Sequence, residues 1–292
     1  MSITEGFEHI VRENEPLDAF ARLRLGGVAE YFAEPTTRDE LIGLVKRFAE
    51  NELPIRLIGT GSNIIVREEG VAGLVLHLSA PEFCQISVSD NTIACGGGVR
   101  LSHFVSTAVR EGLSGPENFA GIPGTIGGAL HNNADANGAD IGTWAQTAEV
   151  LTRSGELLTR DRSDLNFAYR QSSLSELAIL SATFQFEREP ADELTKRLQK
   201  IWIIQRATQP GYAENAIFVF KDHGGESASS LIEKAGLKGT KVGEVHISER
   251  DPNYFIANPG ASSADVIRLI ELVQSQVQER LEIQLQPGIK IW

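Results

Sequence analysis

Two glycine-rich segments constrain this chain more than any other feature. Residues 59–63 read GTGSN and residues 121–128 read GIPGTIGG. Glycine has no Cβ, so backbone N–H groups there can approach a pyrophosphate closely, and the hydroxyls of Thr60, Ser62 and Thr125 add further donors. Neither segment contains the lysine that a nucleoside triphosphate site requires. The pair predicts a bound dinucleotide.

The residues around the first glycine segment argue against one common dinucleotide-binding fold, the Rossmann fold. Residues 54–58 are apolar enough to form a strand that enters the segment, and residues 64–66 form a strand that leaves it. A Rossmann unit has a helix after its glycine turn instead. The order of strand, glycine turn and strand therefore argues against a Rossmann fold.

Composition and charge exclude several classes of partner. The 292 residues are 41% hydrophobic, which predicts a globular protein with room for two domains. The net charge of -12 repels nucleic-acid phosphates and anionic membranes. Apolar stretches fall short of the ~20 residues that a membrane span needs. We therefore expect a cytoplasmic monomer that binds neither nucleic acid nor membrane.

Cysteine and histidine residues give no sign of a metal site. Cys84 and Cys95 are spaced unlike a zinc knuckle or a redox pair, and we expect both to be reduced. The six histidines show no spacing typical of a metal-binding motif. We predict no bound metal.

Hydrophobic periodicity predicts the remaining elements and a change of organisation near residues 189–190. The predicted helices span residues 36–50, 101–110, 192–205, 229–235 and 263–280. The predicted strands span residues 71–78, 86–88, 92–95, 149–152, 155–159 and 180–187, with a surface turn at 164–173 and a loop at 208–225. The elements after residue 190 form a smaller α+β unit.

A series of short motifs occurs in one order along the whole chain. They are Leu25-Gly26-Gly27, residues 59–63, residues 120–128, Phe167-x-Tyr169-Arg170-x-Ser172, Gln209-Pro210, Phe220-Lys221 and residues 235–239 (AGLKG). Each motif alone is weak, since a Gly-x-Gly turn is more often a tight hairpin than a ligand site. In this order, and from end to end, the chain resembles the UDP-N-acetylenolpyruvoylglucosamine reductase family, in its shorter subtype.

The resemblance implies a fold and a domain organisation. It implies an α+β protein with the two-lobed FAD-binding fold of the vanillyl-alcohol oxidase type and a smaller α+β substrate lobe. On this basis we expect an FAD-binding domain at residues 1–190, with lobes at about 1–80 and 81–190, and a substrate-binding domain at residues 191–292.

The resemblance also implies which residues bind FAD. They are Gly59, Thr60, Gly61, Ser62, Asn63, Gly121, Ile122, Pro123, Gly124, Thr125, Gly127, Gly128, Asn133, Ala134 and Gly138. Asp135 and Asn137 stand where the family usually has glycine and an aromatic residue. We expect the packing against the flavin to depart from the family there, and FAD binding to be kept.

The reaction that the resemblance implies is the FAD-dependent reduction of UDP-N-acetylglucosamine enolpyruvate to UDP-N-acetylmuramate, with NADPH as electron donor, in peptidoglycan precursor synthesis. Arg170 would be the catalytic group that polarises the substrate carboxylate, and Tyr169 and Lys221 would bind substrate, Lys221 through the diphosphate of the UDP-sugar. Read without the resemblance, Tyr169-Arg170 is more typical of a surface turn, and a solvated loop lysine is the alternative for Lys221.

Two positions depart from the family's proton-transfer groups. The family's serine falls at Phe218 and its C-terminal glutamate at Gly288, and neither residue has a proton to give. This leaves two alternatives to the reductase: a catalytically impaired flavoprotein or UDP-sugar-binding homologue, and a flavoenzyme with another oxidoreduction. Nearby polar residues are more typical of solvated groups than of substitute acids, and His223 is the best candidate among Asp222, His223, Glu226, Ser227 and Glu282.

Overall fold

The computed structural model describes residues 3–210 and 215–292, and the chain divides into two compact units. The first unit contains Met1–Glu15, Ala29–Thr60 and Ala72–Ile203, and the second contains Pro16–Val28, Gly61–Val71 and Ile204–Trp292. The second unit is therefore built from three separate stretches of sequence. The expected FAD-binding and substrate-binding domains, with boundaries near residues 80 and 190, remain predictions.

Two sheets form the first unit. The strands of the first sheet are, in spatial order, Val11–Pro16, Val28–Ala33, Val71–His77 and Ile55–Ile58. The second sheet is antiparallel, with the order Leu157–Asp161, Ala145–Leu151, Ala178–Gln185, Thr92–Gly96 and Ile86–Ser89. The second sheet contributes residues to both hydrophobic clusters of this unit, and it shares one of them with the first sheet and α1.

Six α-helices are present in the described parts of the chain. They are α1 (Arg38–Glu50), α2 (Leu101–Arg110), α3 (Ile126–His131), α4 (Ala191–Thr208), α5 (Ala228–Lys234) and α6 (Ser263–Leu281). The predicted bounds of α2 are confirmed residue for residue, and α1, α4, α5 and α6 lie within a few residues of their predicted spans. None of these helices is both long and apolar enough to cross a membrane.

Helix α1 begins at a capping box. The Thr37 side chain accepts a hydrogen bond from the Glu40 N–H, and the Glu40 carboxylate accepts from the Thr37 N–H at 3.1 Å. Hydrogen bonds from His9 and then from Thr36 lower the pKa of Glu40 to about 2. The carboxylate therefore stabilises the helix N-terminus while it is ionised.

This cap predicts a pH-dependent effect of Glu40→Gln. The folded-state pKa lies below the value of about 4.3 for an unfolded glutamate, so the contribution is complete above that value and is lost as the pH falls towards 2. Near pH 6 we expect a loss of about 0.3–1 kcal/mol in the free energy of unfolding, kept small by solvent screening. Chemical denaturation at pH 6 and pH 3 should show the difference shrinking. The control Glu50→Gln at the other end of α1 should show no such loss, and a pH-independent difference for Glu40→Gln would contradict the prediction.

The second unit packs helices on a small antiparallel sheet. Its strands are Ala216–Phe218, Tyr254–Ala257, Val245–Ile247 and Lys241–Val242 in spatial order. Helices α5 and α6 bury their apolar sides in the same core, which also contains residues from the earlier stretches, such as Leu23 and Ile65. The strand Ala216–Phe218 lies inside the loop predicted at 208–225, of which residues 211–214 are outside the described residues.

Candidate active site

The first glycine segment lies between two strands, as predicted. Ile55–Ile58 leads into it and Ile64–Ile65 leads out of it. Gly61 has a φ of +63°, and a Cβ there would lie 2.0 Å from the carbonyl oxygen of Phe20. Because no side chain fits that contact, the sharp turn depends on glycine at this position.

The two glycine segments meet within the first unit. A Cβ on Gly59 would lie 2.9 Å from Thr125 Oγ1 and 3.2 Å from Thr125 Cγ2. Thr125 is also the N-cap of α3, and its hydroxyl accepts a hydrogen bond from the Gly128 N–H at 3.4 Å. The fold therefore brings together two motifs that are far apart in sequence, as a shared dinucleotide site requires.

The residues of the second glycine segment range from buried to exposed. Gly128 and Pro123 are exposed, whereas Gly127 is buried and its N–H donates to the Gly97 carbonyl at 2.8 Å. Gly121 and Gly124 have φ values of +74° and +141°. The Gly127 amide is thus bonded inside the protein, while the segment keeps an exposed side.

A third glycine run, Gly96-Gly97-Gly98, was missed by the sequence interpretation. It follows the strand Thr92–Gly96, and a Cβ on Gly97 would lie 1.9 Å from the Ile179 carbonyl oxygen. Gly97 also accepts the Gly127 hydrogen bond described above. Three consecutive glycines at the end of an alternating strand were the available signal.

Arg170 and Asp135 lie on two short hairpins of the first unit. One hairpin pairs Asp135–Ala136 with Ala139–Asp140, and the other pairs Phe167–Ala168 with Gln171–Ser172. Arg170 lies at the tip of the second hairpin with a φ of +55°. Such a left-handed conformation is uncommon for a residue with a long side chain and marks a candidate functional position.

Hydrogen bonds connect the Arg170 hairpin to residues that flank the Asp135 hairpin. Asn133, which is 3% exposed, donates from Nδ2 to the Ala168 carbonyl at 3.0 Å and accepts from the Gly142 N–H at 3.0 Å. The Ser172 hydroxyl donates to the His131 carbonyl at 2.9 Å. Asn133, expected to line the cofactor, is thus also a structural link between the hairpins.

Arg170 forms an ion pair with Asp135 through Nε and Oδ1. The two contacting atoms are shielded from solvent, although the side chains as wholes are 31% and 32% exposed. The neighbouring Tyr169 is 49% exposed. Ala134 is half-buried, and Gly138 lies in the turn of the Asp135 hairpin with a φ of +82°.

In the second unit, Phe218 and Lys221 lie beside the C-terminal segment. The Lys221 N–H donates to the Gln286 carbonyl at 2.9 Å, and the Gly288 N–H donates to the Val219 carbonyl at 2.8 Å. A Cβ on Gly288 would lie 3.4 Å from Lys221 Cγ. The two positions that depart from the family, Phe218 and Gly288, therefore lie on neighbouring segments.

Asn253 fixes the segment that carries Lys221, and sequence reasoning missed it. Its fully buried side chain accepts from the Phe220 N–H and donates to the Phe220 carbonyl, both at 2.8 Å. Its own carbonyl accepts from the Val219 N–H at 3.0 Å. A single asparagine in a Pro-Asn pair gives no sequence signal that separates it from a turn residue.

The nearby polar residues considered as substitute acids have structural partners. Asp222 accepts from the Ala228 N–H at 2.9 Å, and Ser227 caps α5. Lys234 lies 2.5 Å from the Glu226 carboxylate and holds its pKa below the ordinary value. His223 is exposed and pairs with Glu226 through backbone hydrogen bonds across a tight turn, while Glu282 ends α6. These contacts favour structural roles for the group.

Trp144 is a packing residue of the first unit. Its ring lies 6.0 Å from the Phe119 ring in an edge-on arrangement and 5.7 Å from the Phe186 ring. A Cβ on Gly115 would lie 2.5 Å from Trp144 Cζ2. These contacts make Trp144 a packing anchor of the first unit.

The arrangement fits a dinucleotide held by neutral groups. The close contact of Gly59 with Thr125 leaves no room for a larger residue, and Thr60 and Thr125 of the same unit are half-exposed polar groups. Backbone amides and hydroxyls of this kind bind phosphate oxygens by hydrogen bonding.

Comparison with known proteins identifies the family and the fold. The family model described as FAD binding domain matches residues 29–161, and the model described as UDP-N-acetylenolpyruvoylglucosamine reductase, C-terminal domain, matches residues 202–292. The crystal structure of UDP-N-acetylenolpyruvylglucosamine reductase from Thermus caldophilus is 31% identical, with a TM-score of 0.80 over 97% of this chain and 99% of that one. The expected α+β fold with an FAD-binding domain is confirmed.

Curated relatives match the chain over almost its full length. UDP-N-acetylenolpyruvoylglucosamine reductase of Rhodopirellula baltica is 38% identical over 100% of this chain and 97% of its own length. UDP-N-acetylenolpyruvoylglucosamine reductase 2 of Symbiobacterium thermophilum is 37% identical over 97% of this chain and 92% of its own length. The chain therefore belongs to the UDP-N-acetylenolpyruvoylglucosamine reductase family and contains an FAD-binding domain.

Proposed function

We propose that this protein reduces UDP-N-acetylglucosamine enolpyruvate to UDP-N-acetylmuramate with NADPH, as a cytoplasmic monomer in peptidoglycan precursor synthesis. The observation that carries the proposal is the position of Arg170, at a hairpin tip in a left-handed conformation, in a chain of this family. Bound FAD would supply the hydride-transfer chemistry between the nicotinamide and the enolpyruvyl group.

The guanidinium of Arg170 binds the substrate carboxylate in this proposal. Its planar fork can donate two parallel hydrogen bonds to a carboxylate, which a lysine cannot do. Charge that develops on the enolpyruvyl group in the transition state spreads onto this carboxylate, so Arg170 stabilises the transition state more than the ground state. The exposed Tyr169 would contact the same substrate.

Lys221 binds the diphosphate of the UDP-sugar. It is half-exposed, and its backbone is fixed by the hydrogen bond to Gln286 and by the Asn253 contacts to Phe220. A backbone held in this way restricts the positions of the ammonium group, which acts as a compact positive charge.

Two half-reactions test the proposal. The purified yellow protein is reduced anaerobically with NADPH, in parallel with NADH, and the enolpyruvyl UDP-sugar is then added while the flavin absorbance is recorded. We expect faster reduction by NADPH, return of the oxidised flavin spectrum and a lactyl product. A flavin that stays reduced in the presence of substrate, with no product above a free-flavin control, would overturn the proposal.

The second candidate is a flavoprotein of the same family that binds the UDP-sugar and turns it over slowly or not at all. The observation that favours it is that Phe218 and Gly288, on neighbouring segments, leave both family proton donors absent. Loss of general acid catalysis typically costs ~10²–10⁴-fold in rate. A tight complex with the enolpyruvyl UDP-sugar and no flavin reoxidation would identify this candidate.

The substitution Gly128→Ala is expected to change FAD affinity and protein stability in opposite directions. Gly128 is exposed in α3, and a Cβ there would meet only Thr125 Oγ1, at 3.6 Å, so the protein accommodates alanine. Alanine should stabilise the helix by up to about 1 kcal/mol. If the exposed side of this segment faces FAD, the dissociation constant for FAD should rise about tenfold or more.

Apoprotein titrated with FAD, together with thermal melting of the apoprotein, measures both effects. The control Gly6→Ala, at a glycine outside the expected cofactor site, places its Cβ in open space but at a φ of +84°, so it should lower stability instead and leave FAD affinity unchanged. Unchanged FAD affinity in Gly128→Ala would remove Gly128 from the proposed cofactor site.

A further inference from the structure

We infer that Asp135 is a positioning residue for Arg170, one that fixes the guanidinium and attenuates its charge towards the substrate carboxylate. The inference rests on the proposed function, in which Arg170 binds that carboxylate. Its physical basis is the ion pair between Asp135 Oδ1 and Arg170 Nε, whose contacting atoms are shielded from solvent.

The backbone on both sides of this pair is restrained. Asn137 and Gly138 form the turn of the Asp135 hairpin with φ values of +51° and +82°, the combination that a two-residue type I′ turn needs. Asn137 Nδ2 also donates to the Asn118 carbonyl at 2.7 Å. The carboxylate is therefore presented by a short, well-determined hairpin.

The opposite side is restrained through Asn133. Its amide bonds to the Ala168 carbonyl, one strand residue before the tip that carries Arg170, and to the Gly142 N–H just after the Asp135 hairpin. Asn133 is itself buried and adopts a φ of +44°. These hydrogen bonds fix the distance between the two hairpins. The ion pair is therefore not needed to order the loop that carries Asp135 or the loop that carries Arg170.

The chemistry of the guanidinium explains what the pair does. Arginine has five N–H donors, one on Nε and four on the terminal nitrogens. A contact through Nε sets the plane of the fork, and the terminal nitrogens are the ones that form a bidentate pair with a carboxylate. The negative charge of Asp135 also competes with an incoming anion and lowers the attraction of Arg170 for it.

This ion pair can form only in chains that have an acidic residue at position 135. Asp135 stands where the family usually has glycine, which has no side chain to form such a pair. Asp135 and Arg170 are far apart in sequence and meet only in the folded unit. Orientation and charge attenuation can be separated by substitution, because asparagine keeps a polar oxygen beside Nε but carries no charge, whereas alanine keeps neither.

The test compares Asp135→Asn and Asp135→Ala in the purified holoenzyme. For Asp135→Asn we expect KM for the enolpyruvyl UDP-sugar to fall roughly threefold, with kcat within about twofold of the parent. For Asp135→Ala we expect kcat to fall roughly tenfold, because a loosened guanidinium is misplaced in the transition state. The control is Asp140→Asn, since Asp140 pairs directly with Asp135 across the same hairpin and its carboxylate contacts Thr143 instead.

A double-mutant cycle and a spectroscopic signal exclude a merely structural effect. In an Arg170→Lys background, Asp135→Ala should change kcat by less than about twofold, because the guanidinium that Asp135 orients is already gone. In a ¹H–¹⁵N spectrum of the oxidised holoenzyme, the Arg170 Nε–H resonance, assigned by its loss in Arg170→Lys, should keep its shift in Asp135→Asn and move to the solvent-exposed range in Asp135→Ala. If alanine prevents folding, Asp135→Gly, the residue usual in the family, replaces it.

Two results would overturn the inference. One is an Arg170 Nε–H resonance that is unchanged in Asp135→Ala, and the other is an equal loss of kcat in the parent and Arg170→Lys backgrounds. If the parent protein gives no lactyl product, the reductase proposal fails, yet the resonance still tests the ion pair. Flavin absorbance changes on adding the enolpyruvyl UDP-sugar to oxidised holoenzyme then report whether Asp135→Asn tightens binding.

Discussion

Arg170→Asn is expected to lower kcat/KM for the enolpyruvyl UDP-sugar by about 10²–10³-fold, the typical cost of removing one donor that stabilises transition-state charge. Asparagine is chosen because it tolerates the left-handed conformation that Arg170 adopts, at a φ of +55°, whereas alanine would add backbone strain. FAD content and thermal stability should stay close to those of the parent. The loss can then be assigned to the guanidinium.

Two further variants sharpen this result. Arg170→Lys keeps the charge without the fork, so its activity should lie between those of the parent and of Arg170→Asn. Arg160→Asn is the matched control, because Arg160 is 38% exposed, lies in the same unit and pairs with Glu176 at 2.6 Å. Steady-state kinetics of all four proteins measure the effect. If Arg170→Asn keeps kcat/KM within about threefold of the parent, Arg170 does not have the proposed role.

The double substitution Phe218→Ser and Gly288→Glu is expected to raise the rate of substrate reduction by up to about 10²–10⁴-fold, the usual contribution of a positioned proton donor. The backbone accepts both changes. Gly288 lies outside the left-handed region, and a Cβ there would sit 3.4 Å from Lys221 Cγ and 3.7 Å from the Val219 carbonyl oxygen. Phe218 is half-exposed and packs edge-on against Tyr254, its partner across the sheet.

Losing that aromatic contact should cost about 0.5–1.5 kcal/mol of stability, which thermal melting would detect. The control is Phe218→Ala with Gly288→Glu, which opens the same space without a hydroxyl. Reoxidation of the reduced flavin by substrate, with the solvent deuterium isotope effect on kcat, measures proton transfer. An equal gain in the alanine control would mean that the Phe218 ring obstructs substrate, and no gain in either would mean that this chain obtains its proton by another route.

Local patterns predicted the elements whose apolar residues repeat clearly. The periodicity of residues 101–110 gave α2 with its observed bounds, and the order of strand, glycine turn and strand around residues 59–63 is also observed. The strand Val11–Pro16 was missed because most of its side chains are polar and exposed, so it lacks the alternation that marks a half-buried strand. Helix α3 was missed because two glycines near its start weaken any helical pattern.

The site was predictable only to the extent that each residue belongs to a local motif. Arg170 and Lys221 were identified from their neighbours in sequence. The Asp135 ion pair and the Asn133 link depend on contacts between segments that are distant in sequence, and periodicity carries no information on such contacts. The substitution of an acid for the usual glycine at position 135 was visible, but its partner was not.

The discontinuous construction of the second unit limits how this protein can be recombined with its relatives. The C-terminal strand Lys290–Ile291 pairs in parallel with Ile64–Ile65, and Leu23 and Ile65 fill the same core as α5 and α6. A chimera that exchanges only residues 204–292 would combine core residues from two different parent proteins, because Leu23 and Ile65 would not be exchanged with them. A graft that transfers the whole second unit must therefore include Pro16–Val28 and Gly61–Val71, although both stretches lie far from residues 204–292 in the sequence.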